Sequence, residues 1–420
     1  MARSATRWKV VCLWCIWALL MVGYQAYVRA RFDLDRPDHA LFWTANETRA
    51  HSQDDKPYLM DPFLNDHVSW DSEYYLSIAL AGYDDPQMRA IPSTYDWDRP
   101  QVGLKANHPD WVSMNYAFFP FYPLVMRVFL VPLRLLGLRP LAAATLAGML
   151  VSMLGTLGAM LALYDLVRDR LGEAGGMRAA FYLVIFPAGM FLAQVYTEGL
   201  FLGLSFGALA LVRRKKWVGA ALLAACATWT RAAGALLLLP LLWYWWHDGN
   251  WETLRWGFSW PAVGKLLLAG SPLFAYLLWN AVLGEPFHVV ESRFFSRGLF
   301  LLTQSLAAWG YALQEMLGGN PQARAYYLVE FAAIAFGLLA CVLMWKRDRP
   351  LVLYSLVTLF FSLTSGGAQG MHRYVMAAPV LWMVPARWGE NPVFDRTWTL
   401  GNVLLMGVLA AAFSFDFWAG

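Results

Sequence analysis

Charge is scarce in this chain. Asp, Glu, Lys and Arg make up only 15% of its 420 residues, against 59% hydrophobic residues. A water-soluble protein of this length needs far more polar surface, which excludes an ordinary soluble domain and leaves an integral membrane protein. The formal net charge of +4 is small and scattered, which argues against a nucleic-acid partner. Cysteine is also rare: Cys12, Cys15, Cys226 and Cys341 all sit in apolar runs, with no disulfide framework or zinc spacing. Cys12-Leu-Trp-Cys15 has redox spacing, but inside a hydrophobic helix its expected role is packing. Internal repeats, low-complexity tracts and flexible linkers are absent too, so residues 1–420 are expected to form a single integral membrane domain. Aromatic residues, by contrast, are plentiful at 16%, with 22 Trp, which suits interfacial belts and stacking on sugar rings.

Arg3, Arg7 and Lys9 precede an apolar run from Val10 to Val28. At about 19 residues the run can span a bilayer, and no clear cleavage site closes it, so a retained first helix with a cytoplasmic N-terminus is expected. Residues 30–116 hold 15 of the 29 acidic residues and seven Lys or Arg, as a translocated segment should. The Asn46-Glu47-Thr48 triplet in it is too common by chance to carry weight. The stretch AFFPFYPLVMRVFLVPLRLLGLRP from Ala117 contains three internal prolines, Arg127 and Arg134, and reads as an amphipathic helix at the outer interface. The external first loop with its interfacial helices thus covers 30–140, and 141–420 forms the rest of the bundle.

With 117–138 at the surface, ten further spans are expected near 141–163, 179–196, 198–212, 217–233, 235–247, 263–283, 325–345, 351–365, 374–387 and 398–415. Including the first helix, that makes about eleven transmembrane helices. Threaded alternately, they put Arg168/Arg170/Arg178, Arg213-Arg214-Lys215-Lys216, Arg255/Lys265 and Lys346-Arg347-Arg349 all inside. Few basic residues then lie outside beyond the first loop: Arg231, Arg293, Arg297, Arg324 and His372-Arg373. An anionic ligand on that face would account for them.

Four groups converge on the outer side. Trp70, Tyr74, Tyr75 and Ile78 recur at near-helical spacing, which predicts a helix lying flat on the membrane surface and holding Asp71, with Glu73, at the interface. A carboxylate among aromatic neighbours suits a general base, or else it simply solvates the surface. Tyr196-Thr197-Glu198-Gly199 places an acid in a turn, to bind a sugar hydroxyl or to cap the turn. Arg231 pairs either with a phosphate or with Glu198. Gly366-Gly367-Ala368-Gln369-Gly370-Met371-His372-Arg373-Tyr374 is a glycine-rich turn opening a helix with a cation, suited to a phosphate although not of the Walker type.

Trp70-Asp71-x-x-Tyr74-Tyr75-Leu76-x-Ile78-Ala79-x-x-Gly82-Tyr83 and Phe118-Phe119-Pro120-x-Tyr122-Pro123 resemble the opening motifs of the PIG-V-like mannosyltransferases, and the short chain looks more like the bacterial members. Phe186-Pro187-Ala188 with Tyr196-Thr197-Glu198, Thr230-Arg231, and Gln369-x-x-x-Arg373-Tyr374 with Pro379 follow in the same order. The resemblance runs from about residue 67 to 385. It implies an all-α GT-C bundle in a bacterial plasma membrane. The implied reaction is inverting transfer of a hexose, usually mannose, from a polyprenyl-phosphate donor to a hydroxyl of a lipid, glycan or protein at the external face. Asp71 is then the base, with Glu73 beside it. Arg373, Arg231 and His372 are the expected contacts of the donor phosphate. Trp70, Tyr74, Tyr196, Glu198 and Gln369 are expected at the sugar and acceptor, and His288 on the acceptor side. No cofactor is implied, since the lipid-linked sugar is a substrate, although Asp71, Glu73 and the Asp84/Asp85 pair leave a divalent ion open. Two positions depart from the family: a small residue is usual where Glu73 stands, and a serine where Gly199 stands. The alternative is a transporter or flippase of lipid-linked sugars, which would place charges near the bilayer midplane and broken helices in paired repeats.

Overall fold

The computed structural model describes residues 2–34, 36–54 and 56–420, without the side chains of 2–6. Helices dominate, and most buried apolar side chains join one contiguous cluster running from Val10 to Ala419. Five helices are long and apolar enough to cross a membrane: Arg7–Arg31, Pro140–Ile185, Ser271–Phe294, Pro321–Met344 and Pro392–Ser414. A sixth crossing is available if Pro187–Ala193 and Glu198–Arg213, bent by 98° at their break, act as one span. Shorter apolar helices, Trp217–Thr228, Trp260–Ala269 and Arg349–Leu363, stand where further spans were expected. Proline opens several of these helices, at Pro140, Pro321 and Pro392, where its missing N–H costs nothing. The side chains of Asn320 and Asn391 cap two of them by accepting from backbone N–H groups.

Two expected spans, 141–163 and 179–196, fall on either side of Gly172, where a non-helical φ of +67° breaks the stretch Pro140–Ile185 into two helices. The second ends eleven residues early because Pro187 cannot donate into the ladder, and the chain tightens into the short helix Pro187–Ala193. The next helix, Glu198–Arg213, packs along Pro140–Ile185 through glycines. A Cβ at Gly203 would lie 2.4 Å from the Gly155 carbonyl oxygen, and one at Gly199 would lie 2.1 Å from that of Ser152. Small residues let the two backbones touch, as membrane helices require in the absence of a hydrophobic drive between them. The glycine at 199, unusual for the family, is thus imposed by this contact.

The described residues between 36 and 116 pack into a folded unit. They contain a small antiparallel sheet in which Arg89–Ile91 (β1) lies between Gly103–Leu104 (β2) and Val112–Ser113 (β3). Beside it the helix Ser72–Leu80 is buried from Ser72 through Ala79, which corrects the expected surface-lying helix. The cause is composition: its polar positions are small or ion-paired, and a helix apolar all round seeks the interior. Ser72 Oγ donates to the Val195 carbonyl (3.2 Å), and Ser77 Oγ donates to Asp85 (2.6 Å). The Arg127 guanidinium, on the 15-residue helix Phe121–Leu135, donates to the carbonyls of Ile78 (2.7 Å) and Ala79 (3.0 Å) and so caps the buried helix. Its outer side carries exposed Leu124, Val128, Val131 and Leu135.

Members of two of the basic clusters expected on one side, Arg168/Arg170 and Arg213-Arg214, meet with Arg7 at one end of the bundle. Asp165 pairs with Arg7, Arg168 and Arg214, and Asp348 pairs with Arg170 and Arg213. The span near 325–345 is not charge-free, for Glu330 in Pro321–Met344 is fully buried.

Gly199→Ser should overpack the contact with Pro140–Ile185 by about 1–3 kcal/mol and lower the unfolding temperature in detergent. Gly158→Ala, whose new Cβ would meet only Gly203 Cα at 3.7 Å, should leave it unchanged. Equal unfolding temperatures for Gly199→Ser and wild type would contradict the packing account.

Candidate active site

Asp71 immediately precedes the buried helix, after Trp70, whose φ of +52° is strained for an aromatic residue. The turn is held from several directions. Tyr196 OH donates to the Ser69 carbonyl (3.2 Å) and accepts from the Asp71 N–H (3.3 Å). Trp70 Nε1 donates to the Phe417 carbonyl (3.4 Å), while the Trp70 ring meets those of Trp43 and Trp418 edge-on. The Asp71 carboxylate consequently faces a cavity of about 1270 Å³.

Three further charged groups reach this cavity from distant segments. Glu198 is the first residue of its helix, which follows the short turn after Pro187–Ala193. Arg231 ends the segment after Trp217–Thr228, and Arg373 lies in the short helix Met371–Tyr374. Arg373 Nη1 lies 3.8 Å from Asp71 Oδ2, and its Nε lies 3.2 Å from Glu198 Oε1. Arg231 Nη1 donates to the same Glu198 oxygen. The other oxygen, Oε2, is buried without a hydrogen-bond partner, and Arg373 Nε, though close to Glu198, is not aligned for a bond. Orphaned polar atoms in a cavity wall are costly unless a ligand completes them. The Arg373 guanidinium also lies over Phe191, Tyr196 and Tyr374.

Burial pushes the Asp71 carboxyl above the ordinary aspartate range; Arg373 opposes this and Glu198 adds to it. With 29% of its side chain open to the cavity, Asp71 remains reachable.

Glu73 is turned elsewhere. It pairs with Arg89, which donates to Tyr74 OH (2.8 Å) and approaches Glu47 at 3.8 Å. Glu73, expected beside the base, is therefore held apart from it: residues two apart at a helix start point in different directions, and Glu73 is neutralised by a half-buried arginine. Trp70, Tyr74, Tyr196, Gln369 and His288 all line the cavity. Asp71, Glu73, Asp84 and Asp85 do not converge. Asp85 accepts from Tyr58 and Ser77, and Asp84 accepts from Tyr116. No group of three or more potential metal-ligating side chains occurs among the described residues.

His372 does not meet a phosphate. Its Nδ1 is bonded to Glu330 Oε1 (3.0 Å) and its Nε2 to the Ala419 carbonyl (2.7 Å). The donors of the glycine-rich turn are taken as well: Gly370 N–H donates to Glu330 Oε1 (2.7 Å) and His372 N–H to Oε2 (2.9 Å). Tyr326 OH donates to the same acid (2.5 Å). The turn does bind an anion, and that anion is Glu330 from the chain itself. The signal for this was one acid in an apolar span. Glu291 and Arg89, passed over in the sequence, also lie in the cavity wall, as does Arg297, one of the basic residues expected on the outer side.

The fold and site together define a multi-helical membrane protein with an ion-paired acid–arginine site in a large cavity. Residues 89–244 match the family model for mannosyltransferase (PIG-V). In that region the chain resembles the PIG-V family, the resemblance its motifs also suggested. It is similar to GPI alpha-1,6-mannosyltransferase 2 of Mus musculus, 30% identical over 222 residues, covering 51% of this chain and 38% of that protein. The Cricetulus griseus protein of the same name is 29% identical over 212 residues, covering 49% and 37%. The chain therefore matches little more than a third of the length of these relatives. Among solved structures it is similar to ArnT from Cupriavidus metallidurans bound to undecaprenyl phosphate. That match has a TM-score of 0.45 and 17% identity, covering 77% of this chain and 58% of that one. Another is the archaeal oligosaccharyltransferase AglB from Archaeoglobus fulgidus, with an inhibitory peptide and a dolichol-phosphate: TM-score 0.46, 14% identity, coverage 97% and 56%.

Glu330→Ala leaves the turn donors and His372 unpartnered, and should destabilise by about 3 kcal/mol or more. Thermal unfolding in detergent measures it; a loss below about 1 kcal/mol would show that the turn holds without its acid.

Proposed function

We propose that this protein is an inverting GT-C glycosyltransferase that moves mannose from a polyprenyl-phosphate-linked donor to an acceptor hydroxyl at the external face of the membrane. The observation that carries the reading is the meeting of Asp71, Glu198, Arg231 and Arg373, from four distant segments, in one cavity. Asp71 takes the proton of the acceptor hydroxyl as that oxygen attacks the anomeric carbon. The bond from that carbon to the phosphate oxygen breaks, and the lipid phosphate leaves with one more negative charge. Arg373, assisted by Arg231, stabilises that charge, which is greatest late in the transition state. A phosphate leaves as an anion, so no second carboxylic acid is needed to protonate it. The unpartnered Glu198 Oε2 is set to accept a sugar hydroxyl.

Leu236, Leu239, Phe287, Phe360 and Phe361 line the same cavity and suit the prenyl chain. Mannose is the sugar in the names of both curated relatives. Lipid, glycan or protein remains the acceptor class. The clustering of Arg7, Arg168, Arg213 and Arg214 at one end favours that end, with the N-terminus, as the cytoplasmic side of a bacterial plasma membrane.

Asp71→Asn should lower transfer of labelled mannose from polyprenyl-phosphate mannose in vesicles by roughly 10²–10⁴-fold. Undiminished transfer would remove Asp71 from the base role. The base works only when ionised, and burial raises its pKa. Activity should therefore be lost on acidification at a higher pH than for an ordinary Asp of about 3.9. A kcat/KM profile flat down to pH 4 would contradict this assignment.

A further inference from the structure

Arg231 and Arg373 do not offer their full charge to a ligand, since both are paired with Glu198 and Arg373 also lies near Asp71. A third guanidinium in the same wall is differently placed. Arg297 has no carboxylate within 4.0 Å and no side-chain hydrogen bond among the described residues. It lies 5.6 Å from the centroid of the Tyr374 ring, which Arg231 (4.9 Å) and Arg373 (5.2 Å) also approach. Three cations around one ring repel each other. Two are in contact with carboxylates; Arg297 feels Glu291 and Asp71 only at longer range, with neither in ion-pair contact, which leaves its donors open to an anion from outside.

The backbone fixes Arg297 in this position. Its N–H donates to the Glu291 carbonyl (2.8 Å), at the end of the helix that starts at Ser271. Gly298 N–H donates to the Ser365 carbonyl (3.0 Å) and Leu301 N–H to that of Thr364 (2.8 Å). Gly366, at φ +121°, passes so close that a Cβ there would lie 2.2 Å from the Ser296 carbonyl oxygen. The first glycines of the 366–374 motif are thus spent on bringing the 296–301 turn against the site. Two and three residues beyond Arg297, Leu299 and Phe300 are exposed and line the same cavity, next to Phe360. An anion on Arg297 would have an apolar path leading away from it.

We propose that Arg297 is a further donor-binding residue, holding the phosphate of a polyprenyl-phosphate lipid whose chain leaves over Leu299, Phe300 and Phe360. The assignment rests on the glycosyltransferase reading for the reaction, but binding of the lipid phosphate tests it separately. Undecaprenyl phosphate is titrated into the full-length protein in detergent, followed by tryptophan fluorescence, for wild type, Arg297→Gln and Arg297→Lys. Arg297→Gln should weaken binding at least tenfold, Arg297→Lys should recover most of it, and the unfolding temperature should match wild type. Inorganic phosphate and phosphatidylglycerol should compete poorly. In transfer assays Arg297→Gln should raise the donor KM tenfold or more with the acceptor KM unchanged. Binding by Arg297→Gln within twofold of wild type overturns the assignment, as does a lowered unfolding temperature with both KM values raised together. Equal competition by inorganic phosphate overturns the lipid-phosphate identity. Wild-type protein that binds undecaprenyl phosphate through Arg297 but transfers no sugar overturns the proposed function and leaves this site standing.

Discussion

Glu198 receives the Arg231 and Arg373 side chains on one carboxylate oxygen, and the shape of the site depends on that contact. Burying a carboxylate beside two guanidiniums is tolerable only because each charge answers another in a region from which water is largely excluded. Removing any one would leave the others uncompensated. The arrangement ties the entrance of one helix, the segment after Trp217–Thr228 and the turn before Pro379 into one wall. Asp71 is added from a fourth segment by a looser contact of 3.8 Å. The proposed base must be free to accept a proton, and the pairing at Asp71 is accordingly looser than the one at Glu198.

A second buried acid does related work a short distance away. Glu330 fills the glycine-rich turn with a carboxylate and fixes the backbone from Gly370 to His372. Arg373 follows directly, so its direction into the cavity is inherited from a helix outside the site. The tail from Asp416 to Ala419 supports the opposite wall: its carbonyls accept from Trp70 and His372, and Asp416 accepts from Ser69. Strain at Trp70 is sustained by these contacts and by the tryptophan cluster around it. Both walls of the cavity are therefore held by groups outside it, Glu330 and the tail, together with tryptophans that also line it.

The cavity divides by chemistry. Asp71, Glu198 and the arginines form one region, Glu73, Arg89, Glu47 and Lys56 a second polar one, and leucines and phenylalanines an apolar one. Asp71, just before one short helix, and Glu73, in its first turn, serve the two polar regions, because residues two apart there point in different directions. That geometry turns an apparent acidic pair into two separate ion-pair systems.

Composition and hydropathy determined that this is a helical membrane protein, while motif order supplied a resemblance to the PIG-V family and singled out Asp71, Glu198, Arg231 and Arg373. Such features are local: a run of apolar residues or a basic residue on an unexpected side can be read one segment at a time. Helix breaks at Pro187 and Gly172 were legible only in part, because a proline ends a ladder without saying where the chain then turns. The partner of each charge lay beyond the sequence. Glu73 was grouped with Asp71 by proximity, and His372 with a phosphate by the company of glycines. Tertiary structure gave the first to Arg89 and the second to Glu330, because a buried charge takes whichever opposite group the fold brings within reach, at any separation along the chain.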